Sequence, residues 1–295
     1  MHTLETLVAR IDRTHYEWVR DEPTQEDLSH ILKETEHSPF DSNLRAEVYN
    51  DLKAGKARLV TKRGPTAKVL AIVYPDTQIP WATFGKIFQA FGEPAKAATS
   101  GEPLSRATSG QPAKAATSAK TQWRLVWFAN KKKRTFPEAT QAMASDPEHI
   151  KPVHINGGYA FACQPETIVI YREEEAPRVL VHELLHAACT DDMKQPEEIR
   201  EVLTESWAEL FLIAILSTTL TKAKKLWAIQ AQWIIDQETL LKSMGVTKHT
   251  DYAWRYTVGR REVLESLGLR FPPPSKDPVF MLGGSLRFTS SLIQS

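Results

Sequence analysis

Five residues, His182-Glu183-Leu184-Leu185-His186, constrain this chain more than any other feature of its sequence. They lie within PRVLVHELLHAACTDD (Pro177 to Asp192), where Leu180, Val181, Leu184 and Leu185 make a buried helix the expected state. A spacing of four sets the two imidazoles on one face, one turn apart, where both can reach a single ion. Glu183 follows about 100° further around the helix, where it can reach a water at that ion without being a ligand.

Two histidines do not complete such a site, because catalytic zinc takes a third protein ligand and leaves its fourth place to water. The next segment expected to be helical, PEEIREVLTESWAELFLIAIL, carries Glu201, Glu205 and Glu209 at intervals of four. They form one acidic stripe alongside Val202, Ser206, Leu210 and Ile213, and carboxylates in such company need a partner. Glu205 lies nineteen positions after His186, which gives HExxH, eighteen intervening residues, then Glu. This arrangement resembles that of the gluzincins, the thermolysin-like and aminopeptidase N-like metallopeptidases. The resemblance implies His182, His186 and Glu205 as ligands of Zn2+, Glu183 as catalytic base, and Glu209 as the carboxylate that holds His182 from behind. Glu201 and Glu209 are the substitute ligands, and a solvated helix face is the alternative reading of Glu205. A His-His-Cys set with Cys189 is the other arrangement that the spacing allows, and a small buried thiol is the reading preferred for Cys189.

Zinc lowers the pKa of its water toward about 7, so Glu183 is expected to take that proton at neutral pH and hydrolysis of an amide to follow. Gluzincins supply an oxyanion donor from a later helix, which makes Tyr252, Tyr256 and His249 the candidates here. The run Asn156, Gly157, Gly158, Tyr159, Ala160 falls where those peptidases place the edge strand that binds substrate backbone, so Gly157, Gly158 and Tyr159 are the expected substrate-binding residues. That run lacks the glutamate with which aminopeptidases hold a free N-terminus, and aminopeptidase activity is therefore not expected. The block from WRLVWFA through HINGGYAF and IVIYREEE to VLVHELLHA also resembles zincins of large DNA viruses, which implies a virion or an infected cell as a setting.

Residues 58–63 and 67–74 are short, rich in β-branched side chains and separated by Gly64 and Pro65, as two strands joined by a turn should be. Strand-like sequence resumes at Trp123–Ala129, Tyr159–Cys163 and Thr167–Arg172, and everything after Pro177 reads as helical. Strands followed by helices predict an α+β, zincin-like domain: a mixed β-sheet, then the active-site helix, then a mainly helical C-terminal half. The expected division is an N-terminal helical region over residues 1–57 and a metallopeptidase domain over 58–290. In the helical region Leu4, Leu7, Val8, Ile11 and Trp18 recur at near-helical spacing, and a second segment follows Pro23. Residues 94–120 interrupt the larger domain with three tandem nonapeptides, PAKAATSGE, PLSRATSGQ and PAKAATSAK, which have too little apolar surface to offset the entropy of ordering them.

With 37 basic and 36 acidic residues among 295, the net charge of +1 provides no global field for nucleic acid or an anionic membrane. The longest apolar stretch, Phe211 to Leu216, is far short of the roughly 20 residues of a membrane span. The N-terminus lacks the apolar core of a signal peptide, and two cysteines fit reduced buried thiols, so a cytosol-like compartment is expected. Lys131 to Arg134 reads as a solvated turn, with capture of an acidic peptide or a C-terminal carboxylate as its functional alternative. The expected function is a zinc peptidase acting on a peptide or protein substrate. A catalytically silent zinc-containing interaction or virion module is the reading from another class, and the intact Glu183 argues against it.

Overall fold

The computed structural model describes residues 1–36, 40–94, 122–135, 150–276 and 287–294. The chain opens with α1 (His2–Arg10), β1 (Val19–Arg20), α2 (Gln25–Glu36) and α3 (Ser42–Lys53). There follow β2 (Arg58–Arg63), β3 (Ala67–Val73), α4 (Trp81–Phe91), β4 (Trp123–Phe128), α5 (Pro152–Ile155), β5 (Gly158–Ala160) and β6 (Ile168–Ile170). The remainder is helical: α6 (Ala176–Ala187), α7 (Glu197–Leu216), α8 (Leu220–Ser243), α9 (Tyr252–Tyr256), α10 (Gly259–Ser266) and α11 (Ser291–Gln294). Apart from Pro94, the nonapeptide segment lies outside the described residues.

The six strands form one mixed sheet in the order β1-β2-β3-β4-β6-β5. Its centre is parallel, with β4 between β3 and β6, and its flanks are antiparallel, with β5 running against β6 at the edge. A parallel centre must be covered on both sides, and β3 is buried along its whole length. Its alternation divides the core: Val69, Ala71 and Val73 face α4, α6 and α7, while Leu70 and Ile72 face α2 and α3. The architecture is thus α+β, with a β3-α4-β4 crossover inside it.

The N-terminal 57 residues are distributed over the molecule. Helix α1 packs through Leu4 and Val8 into a helical cluster with α7, α8 and α10, β1 extends the sheet, and α2 and α3 cover its outer face. The helix expected to run on to Trp18 ends at Arg10, and Trp18 instead packs on Trp81 and donates its indole N–H to the Trp81 carbonyl at 2.9 Å.

The cysteines differ from the expectation. Cys163, after β5, and Cys189, just past α6, are exposed and joined in a disulfide. Chain path explains the pairing: the turn after β5 folds onto the end of α6, where both cysteine amides donate to the His186 carbonyl at 3.1 Å. The count of two therefore gives no support for a reducing compartment. Among the described residues no helix is long and apolar enough to cross a membrane.

Candidate metal centre

Helix α6 starts with Pro177 in its first turn, where a missing N–H costs nothing, and its apolar residues lock it between the sheet and α7. His182 and His186 emerge from it one turn apart, with ring centroids separated by 4.6 Å and Nε2 atoms by 3.0 Å. Glu201 of α7 completes the convergence: its two carboxylate oxygens lie 3.6 Å from His182 Nε2 and 3.7 Å from His186 Nε2. These three side chains form a group that could hold a metal ion.

The other face of each imidazole is also occupied. His186 Nδ1 is 2.8 Å from Asp191 Oδ2, and Asp191 in turn accepts from the Thr204 hydroxyl at 3.3 Å. His182 Nδ1 is 3.0 Å from Glu205 Oε1, whose second oxygen pairs with the buried guanidinium of Arg178. Asp191 hydrogen-bonds His186 Nδ1 and favours the ring proton there; Glu205, 3.0 Å from His182 Nδ1 but outside hydrogen-bond geometry, favours it there through its charge, and each Nε2 is then left with its lone pair. Two lone pairs 3.0 Å apart repel unless a cation stands between them. Without a metal that cation is a proton: burial opposes it, but Glu205 first, then Glu183 and Glu201, push the His182 imidazole up to about 9.

The acidic stripe of α7 therefore meets α6 in a different register from the one the gluzincin spacing implies. Glu201 faces the Nε2 atoms, Glu205 stands behind His182, and Glu209 lies a turn beyond, fully buried, with Arg260 Nη1 at 3.3 Å. Burial works against ionisation of Glu205, but Arg178 and His182 hold it far below the usual carboxylate range. Burial wins at Glu209, raising it to about 7 against the pull of Arg178 and Arg260.

Glu183 makes no hydrogen bond among the described residues and lines the cleft beside the histidines, 5% exposed. Burial raises its carboxyl to about 7, offset in part by His182 and His186. Opposite stands the sheet edge. A methyl group on Gly158 would come within 2.6 Å of Val179 Cγ1, 2.8 Å of the Val169 carbonyl oxygen and 3.1 Å of Glu183 Oε1, so only glycine lets β5 lie this close to α6. Gly157 makes room for Arg134 in the same way, and the Tyr159 side chain crosses to the far face of the sheet, where its hydroxyl bonds Glu34.

Of the three oxyanion candidates, Tyr256 lines the cleft beside the metal group. Tyr252 lines the wider cavity of ≈ 650 Å³ that shares His186, Glu201 and Tyr256 with it; its hydroxyl donates to Asn156 Oδ1 at 2.7 Å and lies 3.3 Å from that of Tyr256. His249 sits exposed on the turn before α9 with its ring against Trp254, and does not line either cavity. The disulfide removes Cys189 as a metal ligand.

Sequence reasoning missed Asp191 and Arg178, although each left a trace. Asp191 follows His186 by five residues, just past the helix end, and Arg178 precedes His182 by one helical turn. The basic run is not a wholly solvated turn either, since Arg134 is 1% exposed and lines the cleft. Comparison of the chain with protein-family models, with curated proteins and with solved structures finds no match.

Proposed function

We propose that the chain is a zinc-dependent peptidase in which His182, His186 and Glu201 hold the ion and Glu183 is the base. The observation that carries this reading is the pair of imidazoles with both Nδ1 atoms backed by carboxylates and both Nε2 atoms turned to one point beside Glu201. Two imidazole nitrogens and one carboxylate suit a catalytic zinc ion, and bonds of about 2.0–2.1 Å to a tetrahedral centre set two nitrogens roughly 3.3 Å apart, close to the separation found. Bound there, zinc supplies Lewis acidity toward a carbonyl and acidifies water toward about pH 7.

The remaining steps belong to the chain. The unpaired Glu183 carboxylate accepts the proton of the attacking water and returns it to the leaving amine. Among the described residues β5 pairs only with β6, so its outer edge offers backbone groups to an extended peptide laid along the cleft. The Tyr256 hydroxyl is the donor for the oxyanion, and Tyr252 and Asn156 support it.

Two histidines and a carboxylate also serve non-haem iron, and a glutamate interposed between the histidines as a free base favours hydrolysis with zinc. Metal analysis of the purified chain should return one zinc per chain, reduced by His186→Ala. An unbiased peptide library should be cut by the wild type and not by zinc-loaded Glu183→Gln. Iron in place of zinc, or equal cleavage by the two proteins, overturns the reading. Stoichiometric zinc with no cleavage by either favours the silent zinc module.

A further inference from the structure

Two guanidinium groups in the cleft have donors that the peptidase chemistry does not use. Arg134 gives Nη1 to Glu175 Oε2 at 2.9 Å and Nε to the Ile155 carbonyl, while its Nη2 makes no bond among the described residues. That nitrogen overlooks Gly157, where a methyl group would come within 2.3 Å of it. Arg178 gives Nη2 to Glu205, its Nη1 makes no bond among the described residues, and its Nε is buried without any partner. Both side chains are 1% exposed, and both line the inner cleft with His182 and Glu183. They share one aromatic surface, the Phe288 ring, whose centroid is 4.9 Å from Arg134 Cζ and 4.7 Å from Arg178 Cζ.

Burying a guanidinium is costly unless its donors are used, and an idle N–H beside a cavity marks where an acceptor belongs. Glu175 and Glu205 already balance the two charges, so what remains are directed donors from two planar forks, the geometry that matches the paired oxygens of a carboxylate. The inner cleft, ≈ 110 Å³, shares His186, Glu201 and Tyr256 with the wider cavity of ≈ 650 Å³, so a carboxyl group can reach the arginines while the rest of a substrate lies outside. We propose that Arg134 and Arg178 form a carboxylate subsite of the substrate cleft. It receives either the C-terminal carboxylate of a peptide or an Asp or Glu side chain next to the bond that is cut. This deepens the peptidase reading and rests on it.

The test uses the full-length chain carrying Glu183→Gln, loaded with zinc, and measures binding of matched peptides by fluorescence anisotropy. One pair differs as free acid against C-terminal amide, the other as internal Glu against Gln. The expected result is binding about tenfold tighter for the acid of one pair, as charge-assisted hydrogen bonds provide, and loss of that preference on Arg134→Lys and Arg178→Lys at saturating zinc. The pair that discriminates identifies the source of the carboxylate. Gly157→Ala, which displaces the Arg134 fork without removing a charge, should abolish the preference too and stands in if a lysine variant does not fold. Equal affinity within both pairs, or a preference that survives these substitutions, overturns the subsite. Carboxylate preference without cleavage by the wild type removes the peptidase and leaves the subsite, while cleavage without preference does the reverse.

Discussion

Glutamine at position 201 and glutamine at position 205 should have opposite consequences, and the contrast decides how α7 is registered on α6. Glu201 is half-buried and its oxygens face the two Nε2 atoms, so Glu201→Gln removes a proposed ligand while leaving no buried charge unpaired. Its metal-free form should melt within a degree or two of the wild type, and its zinc affinity should fall by well over the 10–100-fold that loss of an outer partner causes. Glu205 is 2% exposed and neutralises Arg178, itself 1% exposed. Glu205→Gln strands that guanidinium, which costs about 3–5 kcal/mol, or roughly 5–10 °C in melting temperature for a chain of this size. Zinc affinity should drop only by about 10–100-fold, because His182 keeps its Nε2 and loses just the carboxylate that orients it. The assays are thermal melts of metal-free protein followed by circular dichroism and zinc titration against a competing chromophoric chelator. Wild-type affinity in Glu201→Gln together with near-complete loss in Glu205→Gln would refute the register described here and restore the ligand set that the gluzincin spacing implies.

Gly158→Ala should lower kcat by moving Glu183 and cost about 1–3 kcal/mol through overpacking against Val179 and the Val169 carbonyl; unchanged kinetics would show that β5 does not set the position of the base. Reducing the Cys163–Cys189 disulfide, which closes a loop of 26 residues, should cost roughly 3 kcal/mol, visible as a lower urea midpoint. Coincident unfolding curves with and without reductant would count against a formed disulfide. The raised pKa of His182 means that the metal-free folded protein holds a proton there at every pH below about 9. Zinc must displace it, so the apparent zinc affinity should weaken by about tenfold per unit as pH falls from 8.5 to 6.5; a flat profile over that range would contradict the shift.

The strands were legible because their burial follows a period that the sequence displays. Arg58–Arg63, Ala67–Val73 and Trp123–Phe128 fall where β-branched and aromatic runs end at Gly, Pro or Asn. Helix α4 carried a signal that went unused, since Phe84, Ile87, Phe88 and Phe91 follow the helical period behind Pro80. Helix α3 did likewise through Leu44, Val48 and Leu52. The buried arginines were beyond reach for a different reason. Arg134, Arg172, Arg178 and Arg260 look like solvated charges in one dimension, and only the fold brings carboxylates and free carbonyls to them.

The candidate metal site shows the same limit in its sharpest form. Within α6 the relation of His182, Glu183 and His186 is fixed by one helix, and any helical reading recovers it. The third ligand depends on how far α7 is displaced along α6, and three glutamates spaced by four occupy the same stripe at successive turns about 6 Å apart. Sliding α7 by one turn exchanges the ligand for its neighbour without changing the pattern that residues 201 to 209 present. What breaks the degeneracy is the set of cations along the stripe. Arg178 projects from α6 one turn before His182 and takes Glu205, and Arg260 from α10 takes Glu209. A carboxylate held by a buried guanidinium gains more from staying there than from turning toward an ion, which leaves Glu201, paired with no arginine among the described residues, as the proposed ligand from α7. Replacing Arg178 with methionine would remove that preference, and Glu205 should then compete with Glu201 for the metal. In that background Glu201→Gln should cost less zinc affinity than it does in the wild type, and equal losses in the two backgrounds would show that Arg178 does not set the register.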